Sequence, residues 1–383
     1  MTKSDDKRVP TLRFKGFTDE WEQRKLGDVA KIVGGGTPST NISNYWNGNI
    51  NWYSPTEIGN QIFVNSSKKK ITELGLKESS AKLLPGKKTI LFTSRAGIGD
   101  MAIMKTDGST NQGFQSWIVK PDIIDIYFLY SLGSKLKRQA LRKASGSTFL
   151  EISNSEVKKL SLYLPDFEEQ TIIGKIIKLI DKLITLQQRK LKLLNKLKKG
   201  LINNILSSVL HFTSTKSVEH IVTFGDIFNY ERPDNYIVSS ENYVSSGIPV
   251  LTANKSFILG YSNENHPYNK GKAIIFDDFT LESKLVNFNF MVKSSAIKIL
   301  TTKPSYDIDF CFVLLKNTPL IQEGHARHYI SRVQPTKVKV PNLTLQRKYA
   351  KIFNTLEYKI RNSNSIQENL KLLKQFLLQN MFI

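Results

Sequence analysis

The stretch that most constrains the fold runs from Glu168 to Ser207 and has the composition of one long helix. Leu, Ile, Lys and Gln dominate it, it contains no proline, and Gly174 and Gly200 lie near its ends. At 1.5 Å per residue, about 40 residues form a rod of roughly 60 Å, which is too long for an ordinary helix of a globular domain. The helix therefore requires a partner.

Apolar residues recur along this stretch at alternating steps of three and four, the spacing of a coiled-coil seam. The predicted seam residues are Ile173, Ile176, Ile180, Leu183, Leu194, Leu197 and Leu201. The partner lies in the same chain, because a shift of 176 positions superimposes a second long segment on the first. Its predicted seam residues are Tyr349, Ile352, Leu356, Leu370, Leu373 and Leu377.

A second internal alignment extends this repeat to the regions that precede the helices. A shift of 198 positions places GDVAKI, residues 27–32, on GDIFNY, residues 225–230. The chain is therefore a tandem duplication, in which each copy runs from a Gly-Asp motif through a mixed region to a long helix. Antiparallel pairing of the helices relates the two copies by an approximate two-fold axis, and we expect that arrangement.

Short β-type runs broken by turn residues fill both mixed regions, and one amphipathic helix is predicted at about 123–143. The predicted fold class is α+β, with two globular α+β domains in tandem duplication, separated by two long helices that form an antiparallel coiled coil. The predicted segments are residues 1–165 (first domain with an N-terminal arm), 166–210 (first helix), 211–341 (second domain) and 342–383 (second helix).

The charge balance indicates a polyanionic partner. The chain has 55 Lys and Arg against 33 Asp and Glu, a net charge of +22, and nucleic acid is the leading candidate. A solubilising surplus of charge is the alternative. No apolar run approaches the ~18 residues of a membrane span, so no membrane partner is predicted.

Cysteine usage and the first residues predict a cytoplasmic protein. The single cysteine, Cys311, lies in the apolar run DIDFCFVLL, is predicted to be a buried thiol on a strand, and excludes an intrachain disulfide. The segment MTKSDDKRVP is polar and lacks the apolar core of a signal peptide.

No catalytic or metal-binding constellation stands out in the sequence. It contains no GxxxxGKS/T phosphate loop, no DPPY or NPPY step for amino methylation and no GxSxG elbow, and its histidines lack zinc-site spacing. The nearest approach to a nuclease site is FDDFTLESK, where Asp277, Asp278 and Glu282 could hold a divalent cation. These acids are better interpreted as turn residues or as acceptors for a cytosine amino group. We predict no catalytic residue, metal or cofactor on this chain.

Basic, amide and hydroxyl side chains near glycine-rich turns are the candidate DNA contacts. Lysines suit phosphates, Arg suits guanine, Asn and Gln suit adenine, and aromatic residues either face bases or belong to the core. The candidates in the first domain are Thr37, Ser39, Tyr45, Trp46, Lys68, Lys69, Lys70, Ser94, Arg95, Asn111 and Gln112. Those in the second domain are Arg232, Asn254, Lys255, Asp277, Lys293 and Arg327.

The whole layout resembles the specificity subunit of a type I restriction-modification enzyme. The similarity is carried by VPTLRFKGFTDEWEQRKLGDVAKI, TSRAGIGDMAI followed by TNQGF, the helix from LPDFEEQ to LNKLKKGL, and IPVLTANKSFILGYS, IIFDDFT and SKLVNFNFMVKSSAIKIL in the second copy. The second helix differs in lacking the Gln-Arg-Lys-Leu run of the first.

This resemblance implies a function for each part of the chain. Each globular unit would be a target-recognition domain for one half of a bipartite, asymmetric site in double-stranded DNA. The paired helices would be a spacer and a docking surface for two methyltransferase subunits, to which restriction (motor-nuclease) subunits attach. S-adenosylmethionine would then belong to the methyltransferase subunits, and ATP and magnesium to the restriction subunits. The alternatives are a free-standing sequence-specific DNA-binding regulator and a nuclease that uses Asp277 and Glu282.

Overall fold

The computed structural model describes residues 8–59, 61–95, 97–146, 150–210, 220–253, 256–322 and 327–383, with side chains except at 206–210. The chain divides into two compact units, unit 1 (Met1–Gln188 with Ile366–Ile383) and unit 2 (Arg189–Ser365). The division cuts through two long helices, Phe167–Leu210 and Leu343–Asn380, so each unit holds one globular region and a part of each helix. Among the described helices, none is both long and apolar enough to cross a membrane.

Unit 1 is built on a five-stranded and a three-stranded sheet. Its described strands are β1 (Glu22–Lys25), β2 (Ala30–Gly34), β3 (Trp46–Tyr53), β4 (Phe63–Val64), β5 (Lys69–Ile71), β6 (Thr89–Phe92), β7 (Met101–Met104), β8 (Gly108–Thr110), β9 (Gln115–Val119) and β10 (Ser161–Leu164). Its helices are α1 (Leu26–Val29), α2 (Glu73–Lys77), α3 (Ile126–Ser131), α4 (Gly133–Lys143), α5 (Asn154–Lys158) and the first part of α6 (Phe167–Leu210). The sheets have the orders β2-β9-β6-β7-β4 and β5-β3-β8.

Unit 2 repeats this plan with fewer strands. Its described strands are β11 (His220–Thr223), β12 (Phe228–Glu231), β13 (Ile248–Leu251), β14 (Ile258–Ser262), β15 (Ala273–Asp277), β16 (Ser283–Val286), β17 (Met291–Val292), β18 (Ile297–Thr302) and β19 (Lys337–Val340). Its helices are α7 (Phe224–Ile227), α8 (Ile308–Asn317) and the first part of α9 (Leu343–Asn380). The sheets have the orders β12-β18-β15-β16 and β14-β13-β17.

The duplication predicted from the sequence is confirmed strand by strand. An antiparallel pair of strands brings the globular region of each unit to its helix, β1 with β10 in unit 1 and β11 with β19 in unit 2. The small sheet of each unit contains one parallel pair, β3 with β8 and β13 with β17. Both copies therefore share one topology, and the fold is α+β as predicted.

A buried glutamine joins each long helix to its globular region. Gln170 accepts a hydrogen bond from the backbone N–H of Asp125 at 3.1 Å and donates to the carbonyl of Pro165 at 3.0 Å. Gln346 makes the same two contacts with Asp307 and Pro341, at 2.9 and 2.7 Å. In both copies the Asp begins the helix that packs on the sheet, α3 or α8, by accepting from its first backbone N–H groups.

The two long helices pair antiparallel within each unit, as predicted. In unit 1, Asp181 on α6 forms an ion pair with Lys374 on α9 at 2.6 Å, and Ile177 and Leu378 lie in one apolar cluster. In unit 2, Lys198 on α6 forms an ion pair with Glu357 on α9. The partner of a later α6 residue is therefore an earlier α9 residue.

Packing selects a different phase of the seam from the one predicted for part of each helix. The predicted residues Ile173, Ile180 and Leu356 are buried, and Ile176, Leu194, Leu201, Ile352, Leu370 and Leu377 are half-buried. Leu183, Leu197 and Leu373 are exposed and lie outside the seam, so their predicted position in the coiled coil was wrong. Because Ile176 and Ile177 are both apolar, either residue could belong to the seam, and the helix buries Ile177.

Cys311 is buried as predicted, but it lies on α8 and not on a strand. Its neighbours Phe310, Leu314 and Leu315 face the core at helical spacing, which a short, wholly apolar run does not reveal. Burial raises the pKa of the thiol, so the thiol stays protonated.

The residues that follow α9 complete the core of unit 1. Phe382 packs against Trp21 and Phe128, with ring centroids 6.3 and 5.2 Å apart, and Met381 is buried in the same cluster. Residues 8–20 of the predicted N-terminal arm are irregular, and Arg13 anchors them to α6 by donating to both carboxylate oxygens of Glu169 at 2.8 and 2.7 Å.

Candidate nucleic-acid interface

Three loops of unit 1 converge where β2, β6 and β8 end, and we call this region the loop edge of unit 1 (residues 34–39, 93–95 and 111–114). Backbone hydrogen bonds tie the loops together, from Gly36 N to Thr110 O and from Ser94 N to Gly113 O, each at 2.8 Å. A Cβ atom at Gly35 would overlap the carbonyl of Asn111, so glycine is required there. Most of the predicted contact residues of the first domain lie at or beside this edge.

Five predicted contact residues lie in one neighbourhood around the first loop. The Thr37 hydroxyl donates to the side-chain oxygen of Gln112, and the Trp46 indole N–H donates to the carbonyl of Ser39 at 3.0 Å. The ammonium group of Lys69 lies 5.5 Å from the centroid of the Trp46 ring, a cation–π distance. Hydroxyl, amide, aromatic and cationic groups are therefore held together on one surface.

The aromatic residues near this loop divide between surface and core. Tyr45 and Trp46 are half-buried, whereas Trp52 and Tyr53 are buried. The side chains of Lys68, Lys69 and Lys70 are exposed on and just before β5, where they are available for phosphate groups.

Arg95 and Asn111 stand at the loop edge, but local partners hold both. The Nε atom of Arg95 lies 2.7 Å from a carboxylate oxygen of Glu151. The side-chain carbonyl of Asn111 accepts from Gly113 N at 2.9 Å, which leaves its amide NH₂ for a ligand. The predicted base contact of Ser94 needs correction, because its side chain is fully buried.

The corresponding loops of unit 2 border a groove of about 700 Å³, and we call residues 277–280, 293–296 and 327–328 the loop edge of unit 2. Lys293 follows β17 as Asn111 follows β8, and its backbone N–H bonds to Leu251 as that of Asn111 bonds to Tyr53. The groove is lined by Thr252, Ser256, Leu259, Thr280, Glu282, Lys284 and Lys293. Lys293 is exposed and lies 3.3 Å from Glu241.

The two aspartates of FDDFTLESK are structural. Asp277 is buried, and its carboxylate accepts from the backbone N–H groups of Phe279 and Thr280 at 3.0 and 2.9 Å. Its predicted cytosine contact is therefore corrected to a role in the turn. Among the residues that the structure describes, no cluster of three His, Cys, Asp or Glu side chains could hold a metal ion.

Asp278 is the centre of a buried polar cluster. Its carboxylate lies 3.4 Å from the ammonium group of Lys298 and accepts from the backbone N–H groups of His328 and Tyr329 at 2.9 and 2.6 Å. Asp278, Lys298 and His328 are all nearly inaccessible to solvent. This cluster fixes the segment that follows Arg327.

Of the other predicted residues of the second domain, Arg327 is exposed at the loop edge and Arg232 is exposed just beyond β12. Arg327 lies over the ring of Phe279, with Cζ 5.8 Å from the centroid. Asn254 and Lys255 lie outside the described residues. Sequence reasoning missed Glu151 and Phe279, although the shift of 176 that aligns the helices also places Glu151 on Arg327.

A family model described as the type I restriction modification DNA specificity domain matches residues 18–196. A type I restriction enzyme specificity subunit of Methanocaldococcus jannaschii is 34% identical over 222 residues, 57% of this chain and 50% of that relative. One of Escherichia coli is 41% identical over 125 residues, 30% of this chain and 31% of the relative. The chain thus spans half or less of the length of these curated relatives.

A solved structure shows the same fold over the full length. The S subunit of a type I restriction-modification system from M. genitalium superposes with a TM-score of 0.66 and covers 98% of this chain and 99% of its own, at 17% identity. The predicted resemblance is therefore confirmed: residues 18–196 match the DNA specificity domain, and the chain is similar to specificity subunits of type I restriction enzymes.

Proposed function

We propose that this chain reads DNA for a type I restriction-modification complex and catalyses no reaction itself. Each unit would recognise one half of a bipartite, asymmetric target in double-stranded DNA. The observation that carries this proposal is the repeated backbone framework with different side chains at its two loop edges. One framework with two chemistries suits two different half-sites.

The charge and the residue types at the loop edges support DNA as the ligand. The net charge of +22 favours a polyanion. Lys68, Lys69 and Lys70 in unit 1 suit phosphates. Gln112 in unit 1, and Lys293 and Arg327 in unit 2, offer donors for base edges.

We propose that two methyltransferase subunits dock on the helices, one for each copy of the repeat. Exposed leucines at heptad spacing on α6 form an apolar stripe outside the seam: Leu179, Leu183, Leu186, Leu193 and Leu197. Exposed leucines at this spacing suit a packed partner. Restriction subunits would join through the methyltransferases. S-adenosylmethionine would be bound by the methyltransferases, and ATP and magnesium by the restriction subunits.

Selection from a library of random DNA duplexes tests the reading function. The purified chain, alone and with its methyltransferase subunits, is mixed with the library, and the bound duplexes are sequenced. We expect two short motifs separated by an unread gap of fixed length in the complex. A single continuous motif, or tight sequence-specific binding by the chain alone, would favour a free-standing regulator instead.

Replacing leucines of the stripe tests the docking function. Leu179→Gln, Leu186→Gln and Leu193→Gln together should abolish co-elution with the methyltransferase subunit and leave the helices folded, because these side chains are exposed. Leu141→Gln on α4 is the matched control, since Leu141 is also an exposed helical leucine and does not belong to the stripe. Unchanged co-elution of the triple variant would contradict docking at this surface.

A further inference from the structure

The two loop edges share one backbone framework, which makes their residues comparable one by one. Ser94 N bonds to Gly113 O in unit 1, and Asp278 N bonds to Ala296 O in unit 2, at 2.8 and 2.9 Å. The carbonyl of Ser94 accepts from Ile152 N at 3.1 Å, and that of Asp278 accepts from His328 N at 3.0 Å. Ser94 and Asp278 are therefore equivalent.

Their neighbours form a matching pair of side chains in each unit. Arg95 follows Ser94 as Phe279 follows Asp278, and Glu151 precedes Ile152 as Arg327 precedes His328. In unit 1 the pair is Arg95 with Glu151, joined by an ion pair at 2.7 Å. In unit 2 it is Phe279 with Arg327, joined by a cation–π contact at 5.8 Å. Each unit therefore has one arginine in this pair, but Arg95 and Arg327 occupy different members of the pair.

The partner in each pair holds the arginine without covering it. About half of the Arg95 side chain is exposed, at 46%, and Glu151 contacts it through Nε, so the terminal amino groups of the guanidinium can still make a bidentate contact with guanine. In unit 2, Arg327 is exposed, and it donates to the hydroxyl of Ser295 at 3.3 Å while it lies on Phe279. An arginine restrained in this way loses less conformational entropy on binding.

We propose that this pair of side chains determines specificity in both units. Arg95 and Arg327 read bases, and Glu151 and Phe279 position them. The proposal rests on the proposed DNA-reading function. Because surface ion pairs add little stability, we infer that the role of Glu151 is to orient Arg95. The arginine would reach equivalent places in both units although different elements carry it.

The same duplex library measures base preference for variants of the complete complex. Arg95→Ala should lower the preference for one base at one position of one half-site about tenfold, and Glu151→Ala should lower it at the same position by about threefold. Arg95→Phe combined with Glu151→Arg copies the unit 2 pair into unit 1 and should restore the preference. Arg327→Ala should affect one position of the other half-site.

Arg24→Ala is the matched control, because Arg24 forms an exposed ion pair with Glu22 at 2.8 Å on β1 and should leave every preference unchanged. The proposal would be overturned if Arg95→Ala and Glu151→Ala weakened the base preference equally at all positions, or left it unchanged. Failure of the swapped pair to restore the preference, at an unchanged melting temperature, would overturn the equivalence of the two units. If the swapped pair does not fold, Phe279→Arg with Arg327→Glu is the reciprocal test. Absence of any preference in the unaltered complex would refute the DNA-reading function itself.

Discussion

Units 1 and 2 share a framework of hydrogen bonds but differ in how much charge they bury. The glutamine that joins helix and globular region is the same in both. The equivalent positions 94 and 278 are not: Ser94 is neutral, and its hydroxyl lacks a hydrogen-bond partner among the described residues, whereas Asp278 is paired with Lys298. Backbone geometry is thus preserved while the polar content of the core changes.

For the ion pairs between the long helices, the more buried charge lies in unit 1. Asp181 with Lys374 in unit 1 and Glu357 with Lys198 in unit 2 are related by the shift of 176. Asp181 is buried and also accepts from the Tyr127 hydroxyl at 2.8 Å, whereas the side chain of Glu357 is 40% exposed. Burial, followed by the charge of Asp181, raises the pKa of Tyr127, so this hydroxyl remains a donor. Equivalent contacts therefore contribute unequally to the stability of the two units.

The largest expected difference is at positions 278 and 94. Asp278→Ala should destabilise unit 2 by about 3–5 kcal/mol, because it leaves the buried Lys298 uncompensated. Ser94→Ala should cost about 1 kcal/mol or less, because its hydroxyl makes no hydrogen bond with any residue that the structure describes. Hydrogen–deuterium exchange of peptides that cover β15 and β6 measures each effect. Equal loss of protection would show that Asp278 is not a structural charge.

A smaller difference is expected for the two helix ion pairs. Lys374→Ala should cost about 2–3 kcal/mol, since the buried Asp181 loses its countercharge, and Lys198→Ala about 0–1 kcal/mol, since its pair is partly exposed and screened. Exchange of α6 peptides before and after Gln188 separates the two effects. A larger loss of stability for Lys198→Ala than for Lys374→Ala would contradict this comparison.

The smallest difference is expected for the glutamines. Gln170→Ala and Gln346→Ala should each cost about 1–2 kcal/mol, because each leaves a backbone N–H and a backbone C=O unpaired. Gln170 has one further bond, to Ile123 O at 3.2 Å, so its loss should be slightly larger. Melting temperatures of the two variants in parallel give the measurement, and a fall for one variant alone would mean that the shared framework is not equally important.

Sequence reasoning succeeded where the physics is periodic or repeated. The alignment of Gln170 with Gln346 and the length of the Glu168–Ser207 stretch were sufficient to predict the duplication and the antiparallel helices. It failed where neighbouring residues offered equal choices: Ile176 and Ile177 are both apolar, and only tertiary packing selects between them. Burial of Ser94 and Asp277 was equally hidden, because a polar residue beside a glycine-rich turn has the same local sequence whether it points inward or outward.

The closure of the unit 1 core by Phe382 sets an order of events during synthesis. At about 5–20 residues per second, a ribosome adds Phe382 roughly 20–70 s after Trp21, its neighbour in the core. Unit 2 occupies one continuous stretch of chain, Arg189–Ser365, and all of it has been made by then. The globular region of unit 1 is therefore made before unit 2, but its core is completed after all of unit 2 has been made.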